Sequence, residues 1–234
     1  MNKQVLVIQQ VEHEPPALIG SALTAAGITL HTLLAESNPI PDHAHDYCGV
    51  VVMGGPASAN DSTPAIQQQL TLLKWCIAQQ KATLGICLGA QLLAKAANGT
   101  ITPSPIRELG WYPLLPTAIA AQDPLFQHLT QPVHLFQWHG ESFTLPPDAN
   151  LLASSPEVPN QAFRIAGSLY GLQFHAEVDA ALIDSWISHG ASERIHLGQQ
   201  GIDAIKQQTP IHLPDGNALC QSMVQSWIKL LDPR

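Results

Sequence analysis

The chain has 234 residues, of which 45% are hydrophobic and 12% are charged, a composition that supplies enough apolar side chains for a packed core and excludes a disordered chain. Its 10 Lys and Arg residues against 18 Asp and Glu residues leave a formal net charge of −8, which excludes the basic surface that nucleic-acid binding requires. No apolar run is long enough for a signal peptide or a membrane span, so we expect a cytoplasmic protein that binds neither nucleic acid nor membrane.

The first part of the chain alternates predicted strands with predicted helices. Strands are predicted over 4–11, 29–35, 47–53 and 82–86, and helices over 16–27, 63–80 and 88–97. The segment YCGVVVM at 47–53 is a continuous apolar run, which is typical of a strand covered on both faces by helices. This alternation predicts an α/β fold with an open, mostly parallel sheet flanked by helices.

From Arg107 to Val178 the sequence is rich in β-forming segments, and after Val178 it becomes helical. The β-rich segments are separated by turns containing Pro, Asn and Gly, which indicates antiparallel additions to the sheet. Helices are predicted over 179–189, 192–208 and 216–231. Pro210 and Pro214 are expected to separate the last two of these helices.

The length favours one domain over 1–234, with a core over about 4–189 and a helical C-terminal extension over about 190–234. The four cysteines show no C-x-x-C spacing and the 11 histidines form no H-x-x-x-H motif, so neither a disulfide framework nor a metal site is expected. Cys48, Cys76 and Cys220 lie on predicted buried elements and are interpreted as core residues.

Cys87 lies where a predicted strand meets a predicted helix, between Gly85 and Gly89. Glycines two residues before and after a cysteine are typical of a nucleophile elbow, a tight turn that projects a reactive side chain. The N-terminus of the following helix would stabilise the thiolate. A buried core cysteine beside a glycine-rich turn explains the isolated G-x-C-x-G pattern equally well.

Two other segments favour the reactive cysteine. His175 and Glu177 end a predicted strand, where side chains two residues apart point the same way, so the carboxylate can orient the imidazole toward a thiol. Gly55 follows a different predicted strand, and its backbone N–H could pair with that of Leu88 in an oxyanion hole. Taken singly, the His175–Glu177 pair is better explained as a surface strand end, and the Gly55 segment is also consistent with an ordinary glycine turn.

In this order and spacing, the segments GGP, GICLGAQ and QFHAE resemble the signature set of the class I glutamine amidotransferases over about 5–187. The segments IRELGWYP and FQWHGE resemble most the branch related to the amidotransferase domain of GMP synthase. Two departures stand out. Ala176 replaces a proline that the family often has between the His and Glu, and the last 45 residues, after His189, have no counterpart in the minimal domain.

The resemblance implies a role for each matched residue. Cys87 would be the nucleophile, His175 the base and then the acid, and Glu177 the residue that orients His175. The oxyanion would be held by the amides of Gly55 and Leu88, and the glutamine pocket would be lined by Gln91, Trp138 and His139. A γ-glutamyl thioester would form on the cysteine and be hydrolysed by water, so the reaction needs no cofactor and no metal.

Three functions remain open at this point. The first is a glutaminase subunit that supplies ammonia to a separate synthetase subunit. The chain contains no G-x-x-x-x-G-K-[ST] phosphate loop, so the synthetase is either another polypeptide or absent. Alternatively, the chain is a free-standing hydrolase or transferase acting on γ-glutamyl peptides or amines. A non-catalytic binding protein is the least favoured of the three, because a binding protein would not need Cys, His and Glu together.

Overall fold

The computed structural model describes residues 3–231, and its secondary structure follows the predicted alternation in the first part of the chain. The strands are β1 (Gln4–Gln9), β2 (Thr29–Leu34), β3 (Gly49–Val52), β4 (Thr83–Ile86), β5 (Ile101–Pro116), β6 (Val133–Phe143), β7 (Asn150–Ser154), β8 (Ala162–Ile165) and β9 (Leu169–Leu172). The helices are α1 (Ala17–Ala25), α2 (Pro64–Ala78), α3 (Leu88–Ala96), α4 (Ala180–His189) and α5 (Ala191–Ile228), with a short 3₁₀ helix at Ala120–Gln122.

All nine strands form one mixed sheet in the order β2-β1-β3-β4-β9-β8-β7-β5-β6. Strands β2, β1, β3, β4 and β9 pair in parallel. The other neighbours, from β9 across to β6, pair antiparallel. The predicted α/β class and the antiparallel additions to a parallel sheet are therefore confirmed, and the carboxyl ends of β1, β3, β4 and β9 meet at one edge.

Alternate residues of the central strands face two separate apolar layers. Val5 and Val7 of β1 pack in a cluster with residues of α1 and α5, whereas Leu6 and Ile8 pack in a cluster with residues of α2 and α3. All four side chains are fully buried. Because successive side chains of a strand point to opposite faces, an uninterrupted apolar strand requires helices on both sides of the sheet.

The helical end of the chain differs from the prediction. Pro210 and Pro214 do not separate two helices, because both lie inside α5; the helix is interrupted instead at Gly198, whose φ of 59° is left-handed. Both prolines are exposed, so water can hydrogen-bond the carbonyls that lose their helical donors. The opposite face of α5 holds the helix to the body through buried residues such as Leu219 and Cys220.

The three cysteines interpreted as core residues are buried, at 4% exposure for Cys48, 0% for Cys76 and 1% for Cys220, which confirms that prediction. Burial raises the pKa of the Cys76 thiol to about 11 and that of Cys220 further still. Between residues 3 and 231, no helix combines the length and the apolar character needed to cross a membrane.

Candidate active site

Cys87 occupies a strained turn between β4 and α3. Its φ of 49° and ψ of −106° are unusual for a residue with a side chain. The turn needs its flanking glycines, because a Cβ on Gly89 would lie 2.1 Å from the carbonyl oxygen of Val52, and one on Gly85 would lie 2.5 Å from that of Gly89. This is the local geometry of a nucleophile elbow, with the thiol presented at the N-terminus of α3.

His175 and Glu177 follow β9, the strand beside β4, so the parallel pairing brings them next to the cysteine turn. Nδ1 of His175 lies 2.7 Å from Oε1 of Glu177, and the two residues are 3% and 1% exposed. The backbone N–H of His175 donates to the carbonyl of Phe136, and the Trp186 ring packs edge-on against the imidazole at 4.6 Å. These contacts leave Nε2 as the nitrogen that faces Cys87.

The charge state of His175 depends on its two neighbours. Burial by itself lowers the pKa of His175, but the Glu177 carboxylate and a hydrogen bond with Cys87 outweigh that effect and raise the pKa to about 10. His175 is therefore an imidazolium at neutral pH, paired with a buried carboxylate. A protonated imidazole beside a thiol is equipped to deliver a proton to a departing nitrogen.

Backbone amides with no partner lie beside the thiol. Within residues 3–231, the N–H groups of Gly55 and Leu88 make no hydrogen bond, and both residues line the same cleft as Cys87. Gly54 lies close to both His175 and Cys87, since a Cβ there would come within 3.0 Å of Cε1 of His175 and 3.3 Å of Cβ of Cys87. Two free donors at this position can stabilise an oxyanion that forms on a carbonyl attacked by the thiol.

Two glutamines support the cysteine from the opposite side. The Gln91 side chain, 4% exposed, donates to the carbonyl of Glu141 at 3.0 Å and to Oε1 of Gln173 at 3.2 Å. Nε2 of Gln173 in turn lies 3.6 Å from Sγ of Cys87. Gln91 therefore lines the cleft, but its amide N–H groups donate to other protein groups. Gln173 contacts the sulfur directly, and the sequence analysis did not identify it as a site residue. Its position in the QFHAE segment was the available signal.

Trp138 and His139 lie on β6 and line the cleft, as the resemblance implied. The carbonyl of Trp138 is 4.0 Å from Sγ of Cys87. Both ring nitrogens of His139 already contact protein groups. Nδ1 lies 3.0 Å from the carbonyl of Glu141 and 3.5 Å from the Ser104 hydroxyl, and Nε2 lies 2.9 Å from the Glu108 carboxylate. These contacts leave no ring nitrogen of His139 for a substrate.

The cleft that contains these residues has a volume of about 730 Å³. Its rim includes two carboxylates that sequence reasoning missed, Glu14 from the loop after β1 and Glu193 from the first turn of α5. Neither belongs to a recognisable motif, so only the fold reveals them. Within the described residues 3–231, no group of three or more His, Cys, Asp or Glu side chains could hold a metal ion.

Comparison with known proteins identifies the family. The sequence profile of class I glutamine amidotransferases matches residues 18–187, so the chain belongs to the class I glutamine amidotransferase family. It is 29% identical over 159 residues to the putative glutamine amidotransferase-like protein YfeJ of Salmonella typhimurium, and 34% identical over 143 residues to the glutamine-hydrolysing GMP synthase of Porphyromonas gingivalis. The resemblance to the GMP synthase branch is thereby confirmed.

The alignments cover very different fractions of the two relatives. The match takes in 66% of this chain and 66% of YfeJ, but 60% of this chain and 27% of the GMP synthase. The crystal structure of a glutamine amidotransferase from Methylobacillus flagellatus superposes with a TM-score of 0.91 at 31% identity, covering 100% of this chain and 97% of that one. That relative therefore shares the region beyond His189, which the family profile does not reach.

Proposed function

We propose that this protein is a cysteine-dependent hydrolase of the γ-amide of glutamine, releasing ammonia and glutamate. The observation that carries the proposal is the convergence, at one sheet edge, of the strained Cys87, the His175–Glu177 pair and the two free amides of Gly55 and Leu88. Membership of the class I glutamine amidotransferase family supports it independently.

In the first half of the reaction, Sγ of Cys87 attacks the amide carbonyl carbon and a C–S bond forms. The carbonyl oxygen becomes an oxyanion, which the N–H groups of Gly55 and Leu88 stabilise. The C–N bond then breaks as Nε2 of His175 delivers its proton to the departing nitrogen. Glu177 holds Nδ1 throughout, so the imidazole keeps the correct orientation.

In the second half, the neutral imidazole of His175 takes a proton from water. The resulting hydroxide attacks the γ-glutamyl thioester, the C–S bond breaks, and glutamate leaves while the proton stays with the Cys87–His175 pair. The same two amides hold the second oxyanion. Every group that this cycle requires is supplied by the protein, the substrate and water.

The proposal is tested by replacing Cys87 with alanine and measuring ammonia release from glutamine. We expect a loss of several orders of magnitude in turnover with an unchanged circular dichroism spectrum, because removal of an activated nucleophile has that effect in other covalent enzymes. Brief iodoacetamide treatment followed by mass spectrometry should label Cys87 before Cys48, Cys76 or Cys220. Wild-type turnover in the Cys87→Ala protein would refute the assignment.

We propose further that ammonia produced here serves a separate synthetase subunit. The GMP synthase relative supports this, since its name, glutamine-hydrolysing GMP synthase, denotes glutamine hydrolysis coupled to a synthetase, and this chain matches only 27% of its length. We then expect slow glutamine hydrolysis by the chain alone, because misalignment of one oxyanion donor slows such enzymes about 10²–10³-fold. High turnover that no added protein raises would contradict it.

The size of the cleft favours a second candidate, a hydrolase of larger γ-glutamyl amides. Glutamine has about ten non-hydrogen atoms, each taking no more room than a water molecule's share of about 30 Å³, so it fills roughly 300 Å³ at most. The cleft measures about 730 Å³. Steady-state kinetics on glutamine, γ-glutamyl peptides and γ-glutamyl amines would separate the two candidates, and turnover confined to glutamine would remove the second.

A further inference from the structure

Two carboxylates, Glu14 and Glu193, line the same cleft as Cys87 and His175. Glu14 lies in the loop between β1 and α1, and Glu193 lies in the first turn of α5, so they reach the cleft from separate elements. Both carboxylates line the same cleft, and the charge of Glu193 contributes to the raised pKa of Glu14.

Glu14 lies beside the reacting groups without a partner of its own. A Cβ on Gly54 would be 3.6 Å from Oε2 of Glu14 and 3.0 Å from Cε1 of His175, so one small residue separates the carboxylate from the imidazole. Within residues 3–231, the Glu14 side chain makes no hydrogen bond or ion pair. Burial is the main cause that raises its pKa to about 7, against the opposing effect of His175. A cation in the cleft would supply the missing partner.

Glu193 approaches the same space from the other side. A Cβ on Gly190 would lie 2.8 Å from Oε2 of Glu193 and 3.2 Å from Cζ2 of Trp138, so the carboxylate and the indole are neighbours. Oε1 of Glu193 accepts a hydrogen bond from Ser192 at 2.8 Å, which leaves Oε2 available. A carboxylate next to an aromatic ring is a combination that favours an ammonium group.

The β5–β6 hairpin brings both signs of charge to the cleft. Among the described residues that line it, Arg107 is the one Lys or Arg, and it lies against Gly140, where a Cβ would be 3.3 Å from its Nε. Glu141 lines the cleft from the same hairpin. Glu14 and Glu193 reach the cleft from two other elements, and we call this pair the acidic wall. A neutral leaving group such as ammonia makes no use of the acidic wall.

We propose that this acidic wall binds a positively charged leaving group, so that the preferred substrates are γ-glutamyl amides of amines that carry a second, protonated nitrogen. The inference rests on the second candidate function, hydrolysis of larger γ-glutamyl amides, and names the class of amide. The amide C–N bond breaks as in glutamine, Nε2 of His175 protonates the departing nitrogen, and the free diamine leaves. Water then releases glutamate from the Cys87 thioester.

The test compares two amides of equal length, the γ-glutamyl monoamide of butane diamine, which ends in an ammonium group, and γ-glutamyl pentylamide, which ends in a methyl group. Release of glutamate by the purified full chain is measured for both. We expect kcat/KM for the charged amide to exceed that for the neutral amide by about 10-fold or more, since hydrogen bonds to charged groups have that magnitude.

Two nearly isosteric variants assign the preference to the wall. Glu14→Gln and Glu193→Gln should each lower the charged-to-neutral ratio of kcat/KM by about 5-fold or more. Because the ratio is taken within each variant, an effect common to both amides cancels. Glu12→Gln is the matched control, because Glu12 is an exposed residue of the same loop that does not line the cleft. It should leave the ratio unchanged.

A pH series adds a readout that a purely structural role would not affect. The charged-to-neutral ratio should rise from about pH 6 to about pH 8 as Glu14 ionises, and Glu14→Gln should lose this rise. The charged groups facing Glu14 are His175, Glu177 and Glu193. At the rim, the rings of His13 and His189 stack at 4.5 Å. A change in their charge would persist in Glu14→Gln, so loss of the rise in that variant assigns it to Glu14.

The possible outcomes distinguish failure of the acidic wall from failure of the proposed γ-amide hydrolysis. Cys87-dependent hydrolysis of both amides with a ratio near one, or a ratio that neither glutamine variant lowers, would overturn the acidic wall and leave the γ-amide hydrolase in place. Failure to hydrolyse glutamine and both amides, with no thioester on Cys87 by mass spectrometry, would overturn both.

Discussion

The side-chain amide of Gln173 lies 3.6 Å from the sulfur of Cys87, with its other end accepting a hydrogen bond from Gln91. Gln173 is two residues before His175 on the same extended segment, and its side chain is completely buried. One segment therefore provides both an imidazole and an amide donor to the thiol. The amide N–H can stabilise a thiolate without titrating, since an amide does not change charge near neutral pH.

Gln173→Leu is expected to slow alkylation of Cys87 by iodoacetamide about 10-fold, because a hydrogen bond to a charged group contributes about 1.5–3 kcal/mol. Mass spectrometry at fixed times gives the rate. Gln137→Leu is the control, since Gln137 is also completely buried but its amide donates to Gln161 and not to the sulfur of Cys87. If both variants alkylate at the wild-type rate, the contact with the sulfur has no effect on reactivity.

The strain at Cys87 can be measured by comparing two substitutions that both remove the thiol. Because Cys87 has a φ of 49°, Cys87→Gly should have a free energy of unfolding about 1–2 kcal/mol above that of Cys87→Ala. At Cys76, inside α2, the order should be reversed. Cys76→Gly should have a free energy of unfolding about 1 kcal/mol below that of Cys76→Ala, since glycine weakens a regular helix. Urea denaturation measures all four variants. A lower stability of Cys87→Gly than of Cys87→Ala would show that the turn is unstrained.

Glu14 should make the protein less stable as the pH rises. Burial raises the pKa of Glu14 from 4.5 to about 7, so the folded protein holds a proton that the unfolded chain releases between these values. Ionisation of Glu14 therefore lowers the free energy of unfolding progressively from pH 4.5 to about pH 7, and causes no further change above that pH. Glu14→Gln should match wild type at pH 4 and be more stable by about 3 kcal/mol at pH 8. A difference that does not change with pH, or one that Glu12→Gln reproduces, would contradict this.

The two prolines inside α5 should cost stability, because each removes a helical hydrogen bond. Pro210→Ala and Pro214→Ala are each expected to raise the free energy of unfolding by about 1–3 kcal/mol, as both sites are exposed and need no repacking. Pro132→Ala, in an exposed loop before β6, serves as the control and should be neutral or slightly destabilising. A loss of stability in both helix variants would mean that the helix is held in a form that requires proline.

Much of the fold could be predicted because its signals are local. The strands at 47–53 and 82–86 were predicted from apolar runs, and the structure has β3 and β4 within those bounds. The prediction that Pro210 and Pro214 separate two helices was wrong, because the tendency of proline to break a helix applies to a helix without tertiary packing. In the protein, the buried face of α5 supplies packing that outweighs two lost hydrogen bonds on the exposed face.

By itself, the sequence determined the α/β class, the turn at Cys87 and the His175–Glu177 pair, since each depends on residues close together in the chain. Only the tertiary structure decided which side chains surround the thiol. Gln173 reaches the sulfur because β9 pairs with β4, and Glu14 and Glu193 meet in one cleft although they are far apart in sequence. Such contacts depend on strand order and on the path of α5 after Gly190, and neither is encoded in a local pattern.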